Sequence, residues 1–502
     1  MNYNGRKPGK LLTTLGALLI SGALLSGCGG DSTETAGIGG TGIGIGGTGI
    51  VSGKIIGFGS VHVNGGIYDI DSSQFNVDGN TGADEDDLKL GMVITLEVET
   101  ENGVLPINGK ALEVVYDDQV EGSITMIDPQ VGTTKNVHVF GQNIVIDEIS
   151  TVFDGTSFEN IGNEGNPGLL DVIEVSGFRT SATDVVATYV RFDADLVPGT
   201  TEVELRGTVD NYTPGGSTFE MEIDGTVINF DPTGVTTEID VPGGVISNGM
   251  YVEVEGVIEA DQSVTADKIE AEDEDFGDDV EDVSLQGIVT VYTGVDDFII
   301  GNQPVDASTA EFKPASLKGM DLQGMNVEVE GEIVGGTLIA EEVETRDGES
   351  KLRSEISMVD TINNQFFKVR YPVAMPNEVT VRINGQTLFE DETGAAVTPP
   401  FSLDDLMPMD FVRIEGQEIL NNEVLATVIK RRSPENKLKL EGEVDEYFAD
   451  VSITILGVKY GLNAFTDYEP DPPSIIVGDF VELEDDDDPN PPDGIADEVE
   501  EE

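Results

Sequence analysis

Residues 53–65 read GKIIGFGSVHVNG, and this stretch contains the pattern on which the rest of the chain is built. A glycine opens a run of alternating side chains, and a second alternating run of four residues, starting at Val61, ends at Gly65. Alternation with a period of two directs one set of side chains into a core and the other into water. The stretch therefore predicts two short β-strands at the start of a β-domain.

The same features recur five more times along the chain. Each copy has an opening glycine (serine in the fifth copy), a second alternating strand, and a longer strand followed by Ala-x-x-Val or Ala-x-x-Ile. The copies begin at Gly53, Gly122, Gly207, Gly287, Ser354 and Gly442. Steps of 67 to 88 residues between them suit a small barrel of four to five strands. Propeller blades would repeat every ~40–50 residues.

We therefore predict an all-β protein, a tandem array of about six small OB-like antiparallel β-barrels. Barrel closure also removes the exposed strand edges that an open sheet must protect. The predicted repeats cover residues 51–117, 118–195, 202–271, 284–346, 352–431 and 438–502, with an acidic linker at residues 272–283 and an acidic end in the sixth repeat.

The first repeat carries two motifs that point to a known family. Residues 57–65 have the form Gly-Phe-Gly-Ser-x-x-Val-Asn-Gly, and residues 88–93 read Leu-Lys-Leu-Gly-Met-Val. Both motifs resemble those of a family of bacterial domains of unknown function that occur in tandem on lipoproteins. The match is specific in the first repeat, because the other repeats lack the Gly-Phe-Gly-Ser opening. The resemblance implies a fold and a setting but no activity.

The start of the chain predicts export. Residues 1–10 are basic and polar, and residues 11–25 form an uncharged apolar run. This run is shorter than the ~20 residues that span a bilayer, so residues 1–27 are predicted to be a signal peptide. The sequence Leu-Ser-Gly-Cys that ends at Cys28 resembles a bacterial lipobox. The resemblance implies cleavage before Cys28 and acylation of that residue, with the membrane as a partner through the lipid anchor.

The residues after Cys28 favour a particular location. Several acyl chains would give a lasting attachment, which a single chain does not. Gly29 in place of aspartate, by the resemblance to Gram-negative lipoproteins, favours the outer membrane. Residues 28–50 are rich in glycine, which disfavours a fixed backbone, and are predicted to be a tether. The predicted location is thus the cell envelope of a Gram-negative bacterium.

The charge of the chain excludes one class of partner. The sequence has 26 Lys and Arg against 97 Asp and Glu, a formal net charge of −71. Nucleic-acid binding depends on basic side chains that face phosphates, so no nucleic-acid partner is expected. An envelope glycan or protein is the expected partner. A saline habitat, in which salt screens self-repulsion, explains the charge equally well.

Histidine and cysteine are scarce, and the 97 acids are too many for any catalytic carboxylate pair to be singled out. The only histidines are His62 and His138, and Cys28 is the only cysteine. Two histidines and one cysteine cannot form the usual structural zinc sites, and they leave few residues for a Ser-His-Asp or Cys-His catalytic arrangement. We therefore predict that the protein is not an enzyme but a binding or structural module. The alternatives are a glycan-binding protein, a calcium-dependent adhesion or assembly protein, and an enzyme that acts on an envelope polymer.

The sequence predicts no cofactor, with two alternatives: a metal site that His62 and His138 would share, and a calcium site. The acidic run near the end of the chain is similar to a D-x-[DN]-x-[DN]-G loop. The candidate ligands are Asp486, Asp488, Asn490, Asp493 and Asp497. Pro491 stands where an EF-hand loop needs glycine, so a solvated hairpin loop is the alternative. The acidic linker likewise either binds a divalent ion or is simply a solvated charged segment.

Overall fold

The fold is built from β-strands that follow the alternation of the sequence. The computed structural model describes residues 48–58, 60–100, 104–106, 108–161, 171–181, 183–271, 282–345, 350–361, 366–375, 377–394, 401–420, 422–469, 475–486 and 492–501. These residues form 36 strands and four short 3-10 helices, with no α-helix among them. No helix in this part of the chain has the length and hydrophobicity needed to cross a membrane.

The strands fall into six successive units of six strands each. Unit 1 contains β1 (Thr48–Lys54), β2 (Val61–Val63), β3 (Gly66–Asp69), β4 (Gln74–Val77), β5 (Val93–Glu99) and β6 (Asn108–Tyr116). Unit 2 contains β7 (Val120–Ile127), β8 (Thr134–Val139), β9 (Gln142–Asp147), β10 (Val152–Asp154), β11 (Asp171–Arg179) and β12 (Asp184–Asp195). Unit 3 contains β13 (Glu202–Asp210), β14 (Thr218–Met221), β15 (Val227–Asn229), β16 (Glu238–Asp240), β17 (Tyr251–Ile258) and β18 (Val264–Ala271).

The second half of the chain repeats this order. Unit 4 contains β19 (Val283–Gly294), β20 (Asp297–Ile300), β21 (Gln303–Asp306), β22 (Glu311–Lys313), β23 (Asn326–Val334) and β24 (Thr337–Glu344). Unit 5 contains β25 (Ser350–Asp360), β26 (Phe366–Arg370), β27 (Glu378–Arg382), β28 (Leu388–Asp391), β29 (Phe411–Leu420) and β30 (Glu423–Arg432). Unit 6 contains β31 (Leu438–Phe448), β32 (Ser452–Ile455), β33 (Val458–Gly461), β34 (Asp467–Glu469), β35 (Phe480–Asp485) and β36 (Glu498–Glu501). The 3-10 helices are Glu85–Asp87, Pro242–Gly244, Ala315–Gly319 and Leu403–Asp405.

Units 2 to 5 are small closed sheets, and units 1 and 6 have the same strand order with one isolated bridge at the place where the ring would close. In unit 3, β13 pairs with β14, β14 with β15, and β17 with both β13 and β18, all antiparallel. The ring closes because β15 pairs in parallel with β18, and the short β16 also adds to β18 in parallel. The predicted all-β array of small OB-like barrels is confirmed. It differs from a wholly antiparallel barrel because the last strand of each unit also forms these parallel pairs.

The longer strands of the sequence pattern contain a β-bulge. In unit 4 the pairing of β23 and β24 shifts register between Glu330 and Gly331, and Gly331 then pairs with Ala340. A Cβ atom at Gly331 would lie 2.1 Å from the carbonyl oxygen of Ile339, so no larger residue fits without a backbone shift. In three other units an equivalent glycine pairs with the equivalent alanine. These pairs are Gly177 with Ala187, Gly256 with Ala266, and Gly416 with Ala426.

A side-chain hydroxyl group binds the carbonyl oxygen of the equivalent alanine in most units. In unit 3, Thr237 Oγ1 donates to the carbonyl oxygen of Ala266 over 2.8 Å and accepts from the backbone N–H of Asp231 over 2.9 Å. Four other units have an equivalent bond to the alanine carbonyl oxygen. The donors are Ser73 to Ala111, Thr151 to Ala187, Thr387 to Ala426 and Thr466 to Ala496. In each of these units the hydrogen bond connects the residue just before the fourth strand to the last strand or, in unit 6, to the segment just before it.

The units pair through their first strands. Strand β7 of unit 2 pairs with β13 of unit 3, and β25 of unit 5 pairs with β31 of unit 6, both antiparallel. Strand β1 of unit 1 pairs in parallel with β19 of unit 4, although two units lie between them in the chain. Three twelve-stranded sheets result. The barrels therefore pack on each other, a question that the sequence left open.

The hydrophobic cores follow this pairing. One continuous core runs through units 2 and 3, and another runs through units 5 and 6. The core of unit 4 includes Ile50 of unit 1 and Leu388 and Val428 of unit 5. The core of unit 1 includes Tyr189 of unit 2. Apolar side chains at the junctions are thus buried jointly by two units.

Candidate functional site

Three of the predicted site residues lie outside the described residues. They are the predicted lipidation site Cys28 and two of the calcium candidates, Asp488 and Asn490. Lipidation of Cys28 and a complete calcium site in the last hairpin therefore stay predictions.

Two of the other three calcium candidates accept hydrogen bonds from backbone N–H groups, and the third, Asp486, donates its own backbone N–H to one of them. Asp497 Oδ2 accepts from the N–H of Asp486 over 2.9 Å, and Asp493 Oδ1 accepts from the N–H of Ile495 over 3.0 Å. Asp485, which the sequence did not single out, is buried and accepts from the N–H groups of Asp493 and Gly494. Burial raises the pKa of Asp485 to about 6 despite these two hydrogen bonds. In the described part of the hairpin, these carboxylates hold the loop backbone.

A different group of acids meets at the junction of units 1 and 2. Asp78, Asp118 and Glu174 each place one carboxylate oxygen within 4.8 Å of the other two. Asp78 follows β4 in unit 1, Asp118 lies in the connection between β6 and β7, and Glu174 lies on β11 of unit 2. The three residues therefore come from both barrels and from the segment that joins them.

Local geometry explains how Asp78 and Asp118 come together. Asp78 has a left-handed backbone with φ of 46°, a conformation that Asp tolerates better than most residues, and Gly79 continues the turn. The N–H of Asp78 donates to the carbonyl oxygen of Tyr116 over 2.8 Å. Asp78 Oδ1 accepts from the N–H of Asp118 over 3.2 Å. The turn after β4 thus holds the connection between the two units.

The third acid lies on a strand that is covered on both faces. Strand β11 pairs with β7 and β12 and also contacts β5 of unit 1 and β19 of unit 4, so it is buried along most of its length, and Glu174 is 1% exposed. Glu174 Oε1 accepts from the Tyr116 hydroxyl over 3.1 Å, and Glu174 Oε2 accepts from the Arg191 guanidinium. These bonds fix the carboxylate beside the other two acids.

Asp118 is the least satisfied member of the group. It is 1% exposed, and neither of its carboxylate oxygens has a hydrogen-bond partner among the described residues. Burial raises the pKa of Asp118 well above its usual range, and the nearby charges of Glu204, Asp78 and Glu121 raise it further. A buried carboxylate without a partner is costly, so such a group needs a proton or a cation.

The sequence signal for this group was weak. Asp117 and Asp118 stand at the boundary of two predicted repeats, and Asp78 precedes a glycine in a turn. The three ligand residues are separated by 40 and 56 positions, so no local spacing brings them together. Only the packing of two barrels does so.

A cavity of about 660 Å³ lies where units 1, 2, 5 and 6 meet. Charged and polar side chains line much of it. They include Lys54, His62, Glu148, Arg382, Glu418 and Glu443. Lys54 Nζ donates to Gln417 Oε1 over 2.9 Å and so connects unit 1 to unit 5. Burial, with the charges of Asp445 and Glu443, raises the pKa of Glu418 to about 8. The cavity can receive a polar ligand of moderate size.

The fold and these sites define a class of protein, a repeat protein of paired small β-barrels. The family model of a domain of unknown function, DUF5666, matches residues 206–270, 286–344, 358–430 and 441–490. These four segments lie in units 3 to 6, whereas the sequence motifs that resemble a tandem lipoprotein domain are most specific in unit 1. The tandem matches are consistent with a repeat family of unknown function. No characterised protein matches the chain closely enough to suggest an activity.

Proposed function

We propose that this protein is a non-catalytic lipoprotein of the bacterial envelope that acts as a binding or structural module. The pairing of first strands between barrels carries this proposal. A barrel of about 70 residues buries too little surface to be very stable alone. Pairing in three twelve-stranded sheets turns six such barrels into a preformed scaffold that can present surfaces at fixed positions.

The proposed anchor is Cys28, through its lipobox-like sequence, and the proposed location is the outer membrane of a Gram-negative cell. The predicted tether of residues 28–50 overlaps the start of β1 at Thr48, so the glycine-rich residues between Cys28 and β1 would separate the scaffold from the lipid surface. This arrangement suits a protein that holds a partner near the membrane.

The proposal of a non-catalytic role rests on the small number of suitable side chains. His62 and His138 lie in different units, and His138 Nε2 lies 3.3 Å from Asp128 Oδ2. The chain has no cysteine besides Cys28. A serine nucleophile activated by histidine, as in a Ser-His-Asp arrangement, would need one of these histidines.

Fractionation of a Gram-negative host that expresses the full chain tests the anchor. The wild-type chain should incorporate labelled palmitate and sediment with outer membranes. Cys28→Ser should lose the label and keep its leader, whereas the control Ser26→Ala should behave like wild type. The anchor is wrong if Cys28→Ser fractionates with membranes at unchanged size.

The cavity between four units favours glycan binding as a second candidate function. Its polar side chains, with His62 and Phe480 in the lining, are of the kinds that contact sugar hydroxyls and sugar faces. A glycan array probed with the full chain should give hits that Glu443→Gln weakens and the exposed control Glu311→Gln does not. An array without hits would set this candidate aside.

A further inference from the structure

The acids at the junction of units 1 and 2 have the composition of a hard-cation site. All three potential ligands are carboxylates, and carboxylate oxygens are the ligands that Ca²⁺ prefers. The ligand atoms already lie within 4.8 Å of one another, so a single ion could contact all three. The Tyr116 hydroxyl, 3.1 Å from Glu174 Oε1, adds a further oxygen beside them.

The two nearby guanidinium groups contact acids other than Asp118. Arg191 donates to Glu174, and Arg206 donates through Nε to Glu253 over 2.8 Å. Arg206 also lies 3.5 Å from Glu204. Asp118 has neither a hydrogen bond nor an ion pair to its carboxylate among the described residues. Both of its carboxylate oxygens are buried, and one of them lies within 4.8 Å of a carboxylate oxygen of Asp78 and of one of Glu174.

We propose that Asp78, Asp118 and Glu174 bind one Ca²⁺ ion, which joins the first two barrels. The ion would contact unit 1 through Asp78, the connecting segment through Asp118 and unit 2 through Glu174. It would fix the orientation of the barrel that follows the tether relative to the rest of the scaffold. This site is distinct from the predicted loop at the end of the chain and does not depend on the proposed anchor.

Terbium luminescence tests the site directly, because Tb³⁺ is a luminescent substitute for Ca²⁺ and tyrosine can transfer energy to it. The full chain in non-ionic detergent should show Tb³⁺ emission on tyrosine excitation, since Tyr116 is hydrogen-bonded to a ligand. Ca²⁺ should displace the Tb³⁺. Asp118→Asn should weaken Ca²⁺ binding at least about tenfold, because it removes a charged ligand.

A matched variant separates this site from the last hairpin. Asp485→Asn also changes a buried aspartate, but one whose oxygens accept backbone N–H groups. It should leave the Tb³⁺ signal and the Ca²⁺ affinity unchanged. If Asp485→Asn abolishes binding and Asp118→Asn does not, the ion binds at the end of the chain and the proposal is wrong.

Thermal unfolding distinguishes the loss of a Ca²⁺ ligand from misfolding of the variant. Without Ca²⁺, Asp118→Asn should unfold at the same temperature as the wild-type chain or a higher one, because it removes a buried acid without a partner. Added Ca²⁺ should raise the unfolding temperature of the wild type but not that of Asp118→Asn. The proposal is wrong if Ca²⁺ raises the unfolding temperature of both chains equally, or if it does not raise that of the wild type. The acids would then be neutralised by protonation.

Discussion

The side-chain amide of Asn64 donates from Nδ2 to the hydroxyl of Ser284 over 2.7 Å, although 220 positions separate the two residues. Asn64 lies in the hairpin of unit 1 between β2 and β3, and Ser284 lies on β19, the first strand of unit 4. Ser284 in turn donates to Glu328 Oε1 over 2.8 Å. This chain of hydrogen bonds crosses the interface at which two barrels, distant in sequence, share a sheet.

Removing the Ser284 hydroxyl should weaken the pairing of units 1 and 4. Ser284→Ala takes a buried acceptor from Asn64 and a donor from the fully buried Glu328, so we expect a loss of about 1–3 kcal/mol in the free energy of unfolding. Denaturant unfolding measures this change. The exposed control Ser247→Ala should be within about 0.5 kcal/mol of wild type. Equal stabilities of the two variants would contradict a buried bond at Ser284.

The bulge glycine of unit 4 should not accept a methyl group. Gly331→Ala would place a Cβ atom 2.1 Å from the Ile339 carbonyl oxygen, so the strands must shift, at an expected cost of about 1–3 kcal/mol. Gly319→Ala, whose Cβ would meet nothing within 4 Å, is the control and should change stability by less than about 1 kcal/mol. A tolerant Gly331 would show that the bulge is absent in solution.

The buried threonine of unit 3 should contribute measurably to stability. Thr237→Val keeps the shape but removes the bonds to the Ala266 carbonyl oxygen and the Asp231 N–H, so unfolding should become easier by about 1–3 kcal/mol. The exposed Thr200→Val should have little effect. A Thr237→Val chain as stable as Thr200→Val would show that other groups satisfy these backbone atoms.

Glu418 should make stability depend on pH. Its pKa is about 8 in the folded protein against 4.5 in an unfolded chain, so between these values the folded state holds a proton that the unfolded state releases. The free energy of unfolding should therefore fall as the pH rises from about 4.5 to about 8 through this group. Glu418→Gln should remove that contribution, so its stability relative to wild type should increase with pH. A constant difference across this range would contradict the raised pKa.

Much of the fold was predictable because strand alternation repeats along the whole chain. The alanine after the longer strand of each repeat was visible as a pattern, and the structure gives its reason in unit 4, where Ala340 pairs with Gly331 at a bulge. The fourth strand was less visible because it is short, three residues long in β16 and β22. The hydrogen bond from the Thr237 hydroxyl to the Ala266 carbonyl oxygen could not be predicted from the sequence, because the two residues are 29 positions apart.

The candidate cation site was not predictable in the same way. Acidic residues are so common in this chain that composition cannot single out Asp118. What distinguishes Asp118 is burial without a partner, which arises only when two barrels and their connection pack together. The pairing of units 1 and 4 is likewise a property of packing, because the repeats in the sequence carry no sign of which first strands meet.

The pairing of β1 with β19 is the central claim, and a disulfide between them tests it most directly. Ser52 and Leu285 are partners across these parallel strands, whose neighbouring backbones lie about 4.8 Å apart, within the range that a disulfide can bridge. In a Cys28→Ser background, the Ser52→Cys and Leu285→Cys pair should oxidise to an intramolecular disulfide that closes a large loop and speeds migration on a non-reducing gel. The matched pair Ser52→Cys and Leu205→Cys, at the equivalent position of unit 3, should stay reduced. Free thiols in the first pair, or a disulfide in the second alone, would contradict the arrangement of barrels described above.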